Sequence, residues 1–275
     1  MGSNGLVGAL GVLLVLGNTS AAWADDGGGG HTSARPTRVC TIEGTQEADV
    51  LAGTAGPDVI CARAGDDLVR GFEGRDTIFG GDGADILRGH GDDDTIVGGH
   101  GDDTVRGYYG RDELFGGPGN DRIIGGPQLD ELFPGHGDDV VDGGPAGNRV
   151  YFSSAVTVDL ALGRATGEGR DILTSIQGVV GSTLSDTIYG TAQREFLFGG
   201  EGNDVIYART GNDLIRGNAG EDQLYGGDDR DRLEAGGGDD VLRGGPGNDH
   251  LRGGPGTDDC RPGSGREWLA SCESP

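Results

Sequence analysis

Residues 80–106 read GGDGADILR, GHGDDDTIV and GGHGDDTVR, three consecutive nonapeptides built on one pattern. Each begins with glycine, has aspartate at its sixth place and carries a large aliphatic residue at its eighth. A flexible Gly-Asp linker does not require a constant spacing between an acidic residue and an aliphatic residue. The stretch therefore predicts a repeated structural unit rather than a disordered tail.

The same nonapeptide continues in phase through two runs of the sequence. Twelve units cover residues 44–151 and nine cover residues 181–261, without an insertion inside either run. The sixth place is aspartate in 19 of these 21 units, with Asn148 and Glu195 as the exceptions. The eighth place is aliphatic in 20 of them, and Cys260 is the exception. Such a constant phase indicates a solenoid, in which each unit packs on its neighbours.

The clearest copies, at residues 80–85, 98–103 and 116–121, match the nonapeptide G-G-x-G-x-D-x-U-x, in which U is a large aliphatic residue. The chain therefore resembles the RTX, or haemolysin-type, calcium-binding repeat family of secreted bacterial proteins. This resemblance covers the chain from about residue 41 to residue 261, apart from one insert. It implies that Ca²⁺ ions bridge successive turns of the structure.

The positions within a unit predict its geometry. Glycines at the first, second and fourth places allow a tight turn with positive φ. Residues seven to nine then form a strand of about 10 Å, with the eighth side chain on one face. Two units make a coil of 18 residues, so the predicted fold is an all-β parallel β-roll (β-solenoid) with two nonapeptides per coil and Ca²⁺ in the turns.

Aspartates 18 residues apart are expected to lie in columns, because successive coils stack about 4.8 Å apart. Carboxylates that close repel unless a cation lies between them, and Ca²⁺ accepts six to eight oxygen ligands in tolerant geometry, whereas Mg²⁺ demands a tighter octahedron. The predicted metal ligands are Asp76, Asp85, Asp103, Asp112, Asp121, Asp204, Asp222, Asp240, Asp249 and Asp258, with turn glycines Gly81, Gly83, Gly99, Gly101, Gly117 and Gly119.

The predicted sites are not equal. The column with Asp85, Asp103 and Asp121 has near-consensus turns, whereas the column with Asp76 and Asp112 lacks the second glycine. The net charge of −25 would take roughly a dozen divalent ions to neutralise. We therefore expect the metal-free chain to be expanded and ion binding to supply much of its folding free energy.

The segments outside the repeats complete the expected division of the chain. Residues 6–16 form an apolar run, and residues 22–24 read Ala-Trp-Ala, a cleavage pattern; together they indicate a cleaved secretory signal. No Lys or Arg precedes the run, however, and a frayed apolar tail or a misassigned start codon would also explain the apolar N-terminus. The expected segments are a signal peptide at 1–24, a flexible Gly-rich leader at 25–39, a first repeat block at 40–151, an irregular β spacer at 152–180, a second repeat block at 181–261 and a C-terminal cap with Cys272 at 262–275.

The four cysteines form one pair near each end of the repeats. An even count in an exported chain favours disulfides over a zinc site, since no CxxC motif or nearby histidine accompanies them. Three connectivities are possible, and the local pairs Cys40–Cys61 and Cys260–Cys272 are the simplest. The expected role of these pairs is to lock caps on the ends of the solenoid.

Several function classes remain open after these observations. We expect a secreted, monomeric, non-enzymatic calcium-binding module, since the sequence has no HExxH or GxSxG motif and its five histidines are scattered. The alternatives are a non-catalytic accessory of a polysaccharide-acting system and an adhesin-type binder of a cell surface or extracellular polymer. The acidic balance disfavours nucleic acid as a partner, and membrane insertion is not expected.

Overall fold

The computed structural model describes residues 39–266 and 268–272, and all regular structure in these residues is β-strand. The predicted signal peptide and residues 25–38 of the predicted leader lie outside them. The first strands are β1 (Ile42–Glu43), β2 (Val50–Ala52), β3 (Val59–Ala64), β4 (Leu68–Phe72), β5 (Thr77–Asp82), β6 (Ile86–His90), β7 (Thr95–His100), β8 (Thr104–Tyr108), β9 (Glu113–Pro118), β10 (Arg122–Ile124), β11 (Glu131–His136), β12 (Val140–Asp142) and β13 (Asn148–Tyr151). The remaining strands are β14 (Thr157–Asp159), β15 (Arg164–Thr166), β16 (Arg170–Thr174), β17 (Ile176–Val180), β18 (Thr187–Tyr189), β19 (Phe196–Glu201), β20 (Val205–Thr210), β21 (Leu214–Ala219), β22 (Gln223–Asp228), β23 (Arg232–Gly237), β24 (Val241–Pro246), β25 (His250–Arg252), β26 (Asp259–Ser264) and β27 (Trp268–Ala270).

The strands form two long sheets, which we call the first and second sheets. The first sheet has the order β1-β3-β5-β7-β9-β11-β13-β17-β19-β21-β23-β25-β27, and the second has the order β2-β4-β6-β8-β10-β12-β16-β15-β14-β18-β20-β22-β24-β26. Within the repeats neighbouring strands are parallel and 18 residues apart, so that Ile78 pairs with Ile96 and Leu87 pairs with Val105. The predicted all-β parallel β-roll is therefore confirmed.

The aliphatic residues at the eighth place of each unit form the core. Strand side chains alternate between buried and partly exposed positions, as in β5, because successive residues of a strand point to opposite faces. Each fully buried Leu, Ile or Val stabilises the fold by about 1.5–3 kcal/mol. The fully buried members are Ile60, Val69, Ile78, Leu87, Ile96, Val105, Leu114, Ile123, Leu132, Val141, Val150, Ile188, Leu197, Ile206, Ile215, Leu224, Leu233, Leu242 and Leu251.

The spacer between the repeat runs is built into the same solenoid. Strands β14 and β16 flank β15 in the second sheet, and β15 is antiparallel to both. Val158, Ala165 and Leu173 extend the core through these three strands. In the first sheet, β13 pairs directly with β17 in parallel, with one irregularity between Asn148 and Arg149. The insert thus adds a hairpin to one sheet while the other sheet continues.

Disulfides link the terminal coils. Cys40 is bonded to Cys61 and Cys260 to Cys272, with Cα–Cα distances of 6.0 and 5.8 Å. Cys260 takes an eighth-place core position in β26, where it is 7% exposed. All four cysteines are engaged in these bonds, so that no thiolate remains for zinc. In the described part of the chain, no helix is long and apolar enough to cross a membrane.

Candidate metal centre

Two columns of turns connect the sheets. Turns from the first sheet to the second form what we call the first turn column, and turns from the second sheet to the first form the second turn column. The sixth-place residues stack within these columns, and all are aspartates except Asn148 and Glu195. Asp171 of the spacer continues the first column, although it lies in strand β16 rather than in a turn between the sheets. The first column contains Asp49, Asp67, Asp85, Asp103, Asp121, Asp139, Asp171, Asp186, Asp204, Asp222, Asp240 and Asp258. The second column contains Asp58, Asp76, Asp94, Asp112, Asp130, Asn148, Glu195, Asp213, Asp231 and Asp249.

One oxygen of each column carboxylate receives a backbone hydrogen bond. The backbone N–H of Asp85 donates to Oδ1 of Asp103 at 2.8 Å, and the N–H of Asp103 donates to Oδ1 of Asp121 at 2.7 Å. The second column repeats this contact, for example from Asp94 N–H to Asp112 Oδ1 at 2.9 Å. These hydrogen bonds join one coil to the next, although the neighbouring carboxylate charges repel one another.

The other carboxylate oxygen is buried and lacks a hydrogen-bond partner among the described residues. This holds for Oδ2 of Asp67, Asp76, Asp85, Asp94, Asp103, Asp112, Asp121, Asp130, Asp139, Asp171, Asp204, Asp213, Asp222, Asp231 and Asp240. A buried polar atom without a partner costs about 1–3 kcal/mol, and more when it is charged. A repeated set of such atoms therefore points to a bound cation that these carboxylate oxygens coordinate.

Backbone carbonyl oxygens converge on the same places. A Cβ added at Gly80 would lie 2.3 Å from Oδ2 of Asp85 and 2.4 Å from the carbonyl oxygen of Gly98 in the next coil. At Gly98 the corresponding distances, to Asp103 Oδ2 and to the Gly116 carbonyl oxygen, are 2.4 and 2.5 Å. Glycine at the first place thus leaves room in which carboxylate and carbonyl oxygens from two coils face one point.

The second- and fourth-place glycines bring further carbonyls together. Gly99 and Gly101 have φ values of +127° and +122°, which L side chains rarely adopt. A Cβ at Gly99 would lie 2.0 Å from the carbonyl oxygen of Gly81, and one at Gly101 would lie 2.1 Å from that of Gly83. The predicted site glycines Gly117 and Gly119 occupy the same positions one coil further on. The turn backbones can approach this closely only without side chains.

Burial makes the charged carboxylates unfavourable in the metal-free state. The pKa of Asp103 is raised to about 7, mainly because desolvation disfavours its charged form, and the neighbouring charges of Asp85 and Asp102 add to the shift. Burial likewise raises the pKa of Asp121 to about 8 and that of Asp94 to about 8. The hydrogen bond to Oδ1 offsets only part of this effect.

The donor set fits Ca²⁺. All the available atoms are oxygens, and Ca²⁺ takes carboxylate and backbone carbonyl oxygens at about 2.3–2.6 Å in flexible geometry. No group of three or more His, Cys, Asp or Glu side chains in the described residues is placed to hold a metal ion by itself. A site in these turns therefore depends on main-chain carbonyls in addition to the aspartates.

The structure places the predicted ligands in both turn columns. Asp85, Asp103, Asp121, Asp204, Asp222, Asp240 and Asp258 belong to the first column, and Asp76, Asp112 and Asp249 belong to the second. The two columns share one pattern of aspartate hydrogen bonds. In the second column, however, Phe72, His90 and Tyr108 replace the second-place glycine and still have φ of +85°, +88° and +79°.

Asp171 joins the first column from inside the spacer, which the nonapeptide period does not reveal. Its Oδ1 accepts the backbone N–H of Asp139 at 3.2 Å, across 32 residues. The sequence signal that could have identified it is the local triplet Asp171-Ile172-Leu173, which reproduces the D-x-U part of the repeat. Glu195 behaves differently, because its carboxylate accepts hydrogen bonds from the backbone and hydroxyl of Thr191.

The nonapeptide has a counterpart among known protein families. The RTX calcium-binding nonapeptide repeat (4 copies) matches residues 43–71, 70–105, 97–132, 106–141, 115–150, 180–213, 198–233, 207–242 and 234–266. These segments together cover more than half of the chain and omit most of the spacer. A comparison with curated proteins finds no match. From the repeated turn geometry and this match, the chain belongs to the RTX calcium-binding nonapeptide repeat family.

Proposed function

We propose that the protein is a secreted, non-enzymatic calcium-binding module that folds when Ca²⁺ occupies its turn columns. The observation that carries this proposal is the series of buried Oδ2 atoms that lack hydrogen-bond partners among the described residues. Those of Asp85, Asp103 and Asp121 lie beside a carbonyl oxygen of the next coil. Bound Ca²⁺ would supply the positive charge and the coordination partner that these oxygens lack in the metal-free chain.

The first turn column offers the more regular sites. Asp85, Asp103 and Asp121 would each contribute Oδ2, while Oδ1 continues to accept a backbone N–H. Gly81, Gly83, Gly99 and Gly101 would contribute carbonyl oxygens, since their backbones already approach one another closely. In the second repeat run, Asp204, Asp222, Asp240 and Asp258 would act in the same way.

Secretion and a non-enzymatic role are parts of the same proposal. The apolar N-terminal run with its Ala-Trp-Ala sequence supports export, and disulfides persist in oxidising compartments outside the cytosol. Extracellular calcium modules commonly bind at about 10⁻⁴–10⁻³ M, so the chain would remain expanded until it meets external calcium. The period of the repeat assigns nearly all the carboxylates to turns, which favours a structural role over catalysis.

Calorimetric titration of the purified protein with Ca²⁺, and in parallel with Mg²⁺, tests the proposed binding. We expect uptake of several Ca²⁺ ions per chain at up to millimolar concentration and much weaker uptake of Mg²⁺. The absence of Ca²⁺ uptake at millimolar concentration, or equal binding of the two ions, would contradict the proposal.

A further inference from the structure

The outer surface of the second sheet carries a cluster of basic and aromatic residues, whereas the turns are acidic. We call it the arginine–aromatic face, and it consists of Arg70, Arg88, Arg106, Phe72, His90 and Tyr108. These residues come from strands β4, β6 and β8, which are consecutive neighbours in the sheet. Arg70 pairs with Arg88 and Arg88 with Arg106, so the three guanidinium groups follow one row along the solenoid.

The three arginines have no acidic partner in the described part of the chain. Seven arginines elsewhere form ion pairs with Asp or Glu, among them Arg75 with Asp93 and Arg209 with Asp159. In the row, Nε of Arg88 and Nε of Arg106 are buried without a hydrogen-bond acceptor among the described residues, as is Nε of Arg149 elsewhere. In a protein with 46 acidic residues, three adjacent arginines without ion pairs form a local concentration of positive charge.

An aromatic row lies beside the arginine row. The rings of Phe72 and His90 stack with centroids 5.6 Å apart, and those of His90 and Tyr108 stack at 4.9 Å. All three residues have positive φ at a place where the repeat normally has glycine. Left-handed backbone is unfavourable for an L residue, so the row is held at an energetic cost. Strained residues of this kind concentrate at functional sites.

The spacing of the arginine row favours an anionic ligand. Neighbouring strands lie about 4.8 Å apart, so the guanidinium groups repel one another unless an anion lies against them. The electrostatic influence of the row extends to His90, whose pKa is lowered by burial and further by Arg88 and Arg70. The arginine row ends at Ala52 in β2 and Ile124 in β10, which occupy the equivalent positions of the neighbouring strands. The row therefore spans three coils, or about 10 Å from end to end.

Two features distinguish the class of anion. Arginine binds carboxylates in a bidentate manner, and a row of stacked aromatic rings suits the C–H faces of the sugar rings in a polysaccharide. A nucleic acid has a dense phosphate charge that the protein's overall charge of −25 repels, whereas a carboxylated polysaccharide carries fewer charges for its length. We propose that the arginine–aromatic face binds a short stretch of a linear polysaccharide that carries carboxylate groups, lying along the solenoid axis.

This inference does not rest on calcium-driven folding, and circular dichroism checks the fold of each sample separately. The probe is a fluorescently labelled galacturonate oligomer too short to gel with calcium, and binding is followed by fluorescence anisotropy. We expect saturable binding that an uncharged glucose oligomer does not compete with. The absence of binding to the folded protein, or tighter binding of a single-stranded oligonucleotide of equal charge, would overturn the proposal.

Matched triple variants separate this face from overall charge. The combined change of Arg70→Gln, Arg88→Gln and Arg106→Gln should weaken binding by at least about tenfold, because it removes the charge-assisted hydrogen bonds to the carboxylates of the oligomer. The control changes Arg170→Gln, Arg230→Gln and Arg252→Gln remove the same charge from exposed arginines outside the face. Equal weakening by the two triples would show a general charge effect and contradict the assignment.

The aromatic row has a test of its own. The combined change of Phe72→Gly, His90→Gly and Tyr108→Gly restores the repeat's glycine and relieves the positive-φ strain. We expect the melting temperature in calcium to be retained or raised while the oligomer binds more weakly. A lower melting temperature with unchanged binding would make the stacked rings a structural feature and contradict their role in the face.

Discussion

The two oxygens of a repeat aspartate have separate roles. In Asp103, Oδ1 accepts the backbone N–H of Asp85, whereas Oδ2 is buried without a hydrogen-bond partner among the described residues. The sequence predicts the phase of these aspartates, because Asp and the following aliphatic residue keep one spacing. It does not predict which oxygen joins the coils, since that depends on the register of stacked main chains.

The change Asp103→Asn separates the two roles. The amide oxygen can still accept the N–H of Asp85, as Asn148 does for Asp130 at 2.7 Å, but the buried negative charge is removed. We expect an unchanged or higher β-content without calcium, measured by circular dichroism, and a loss of calcium affinity on the order of tenfold at this turn, measured by calorimetry. The control Asp102→Asn alters an exposed neighbour. Unchanged calcium binding by the Asp103 variant would contradict the assigned role of Oδ2.

The change Gly101→Ala tests whether the turn glycines are needed for the close approach of neighbouring turn backbones. The new Cβ would lie 2.1 Å from the carbonyl oxygen of Gly83, and φ would remain at +122°. Backbone strain alone costs about 1–3 kcal/mol, and the steric clash adds to it. We expect a lower melting temperature in calcium and weaker binding of the ion. Gly56→Ala is the control, because its Cβ would meet no atom within 4 Å; an equal effect of both changes would argue against close backbone approach at Gly101.

At the level of elements, the repeat spacing predicts the strands and coils well but does not predict the spacer. Within it, Val156, Val158 and Leu160 alternate with other residues as in a strand; Val156 and Val158 are buried, and Leu160 is partly buried. The antiparallel placement of β15 between β14 and β16 was not predicted, because pairing direction depends on tertiary contacts rather than on the residues of one strand. The same limit applies to Asp171, which enters the first turn column although the nonapeptide period has been interrupted.

The turn columns predict how stability without calcium depends on pH. Burial raises the pKa of Asp85 to about 6, of Asp103 to about 7 and of Asp121 to about 8 in the folded state, from an ordinary value of 3.8. The folded state therefore binds protons more tightly than the unfolded chain, and stability is lost as the pH rises through these folded values. We expect the calcium-free protein to have a higher β-content, measured by far-UV circular dichroism, at about pH 5 than at about pH 8. A calcium-free β-content that rises with pH would contradict the burial of these charges.

At the scale of the whole molecule, the disulfides act on the ends of an otherwise repetitive stack. Cys40–Cys61 closes a separation of 21 residues and Cys260–Cys272 one of 12. Loops of this size predict a contribution of about 3 kcal/mol each, mainly through the unfolded chain. Reduction should lower the melting temperature while the number of bound Ca²⁺ ions stays the same. Loss of calcium binding on reduction would contradict a purely capping role.

The narrow core and the high negative charge of the chain explain why we expect calcium binding and folding to be coupled. A core that is one aliphatic residue wide in each strand must hold together a protein of charge −25, and its buried carboxylates oppose the fold until they are neutralised. Composition alone would suggest disorder. It is the constant spacing between the aspartates and the aliphatic residues that predicts an ordered β-roll when cations are added.

The most direct test of this coupling compares the purified protein in millimolar calcium with the same sample after chelation. Far-UV circular dichroism and small-angle X-ray scattering measure its β-content and its radius of gyration. We predict a compact β-rich particle in calcium and, after chelation near neutral pH, loss of the β signal with a clear increase in radius. The same β-content and the same radius in both states would contradict the claim that divalent ions hold the aspartate columns together.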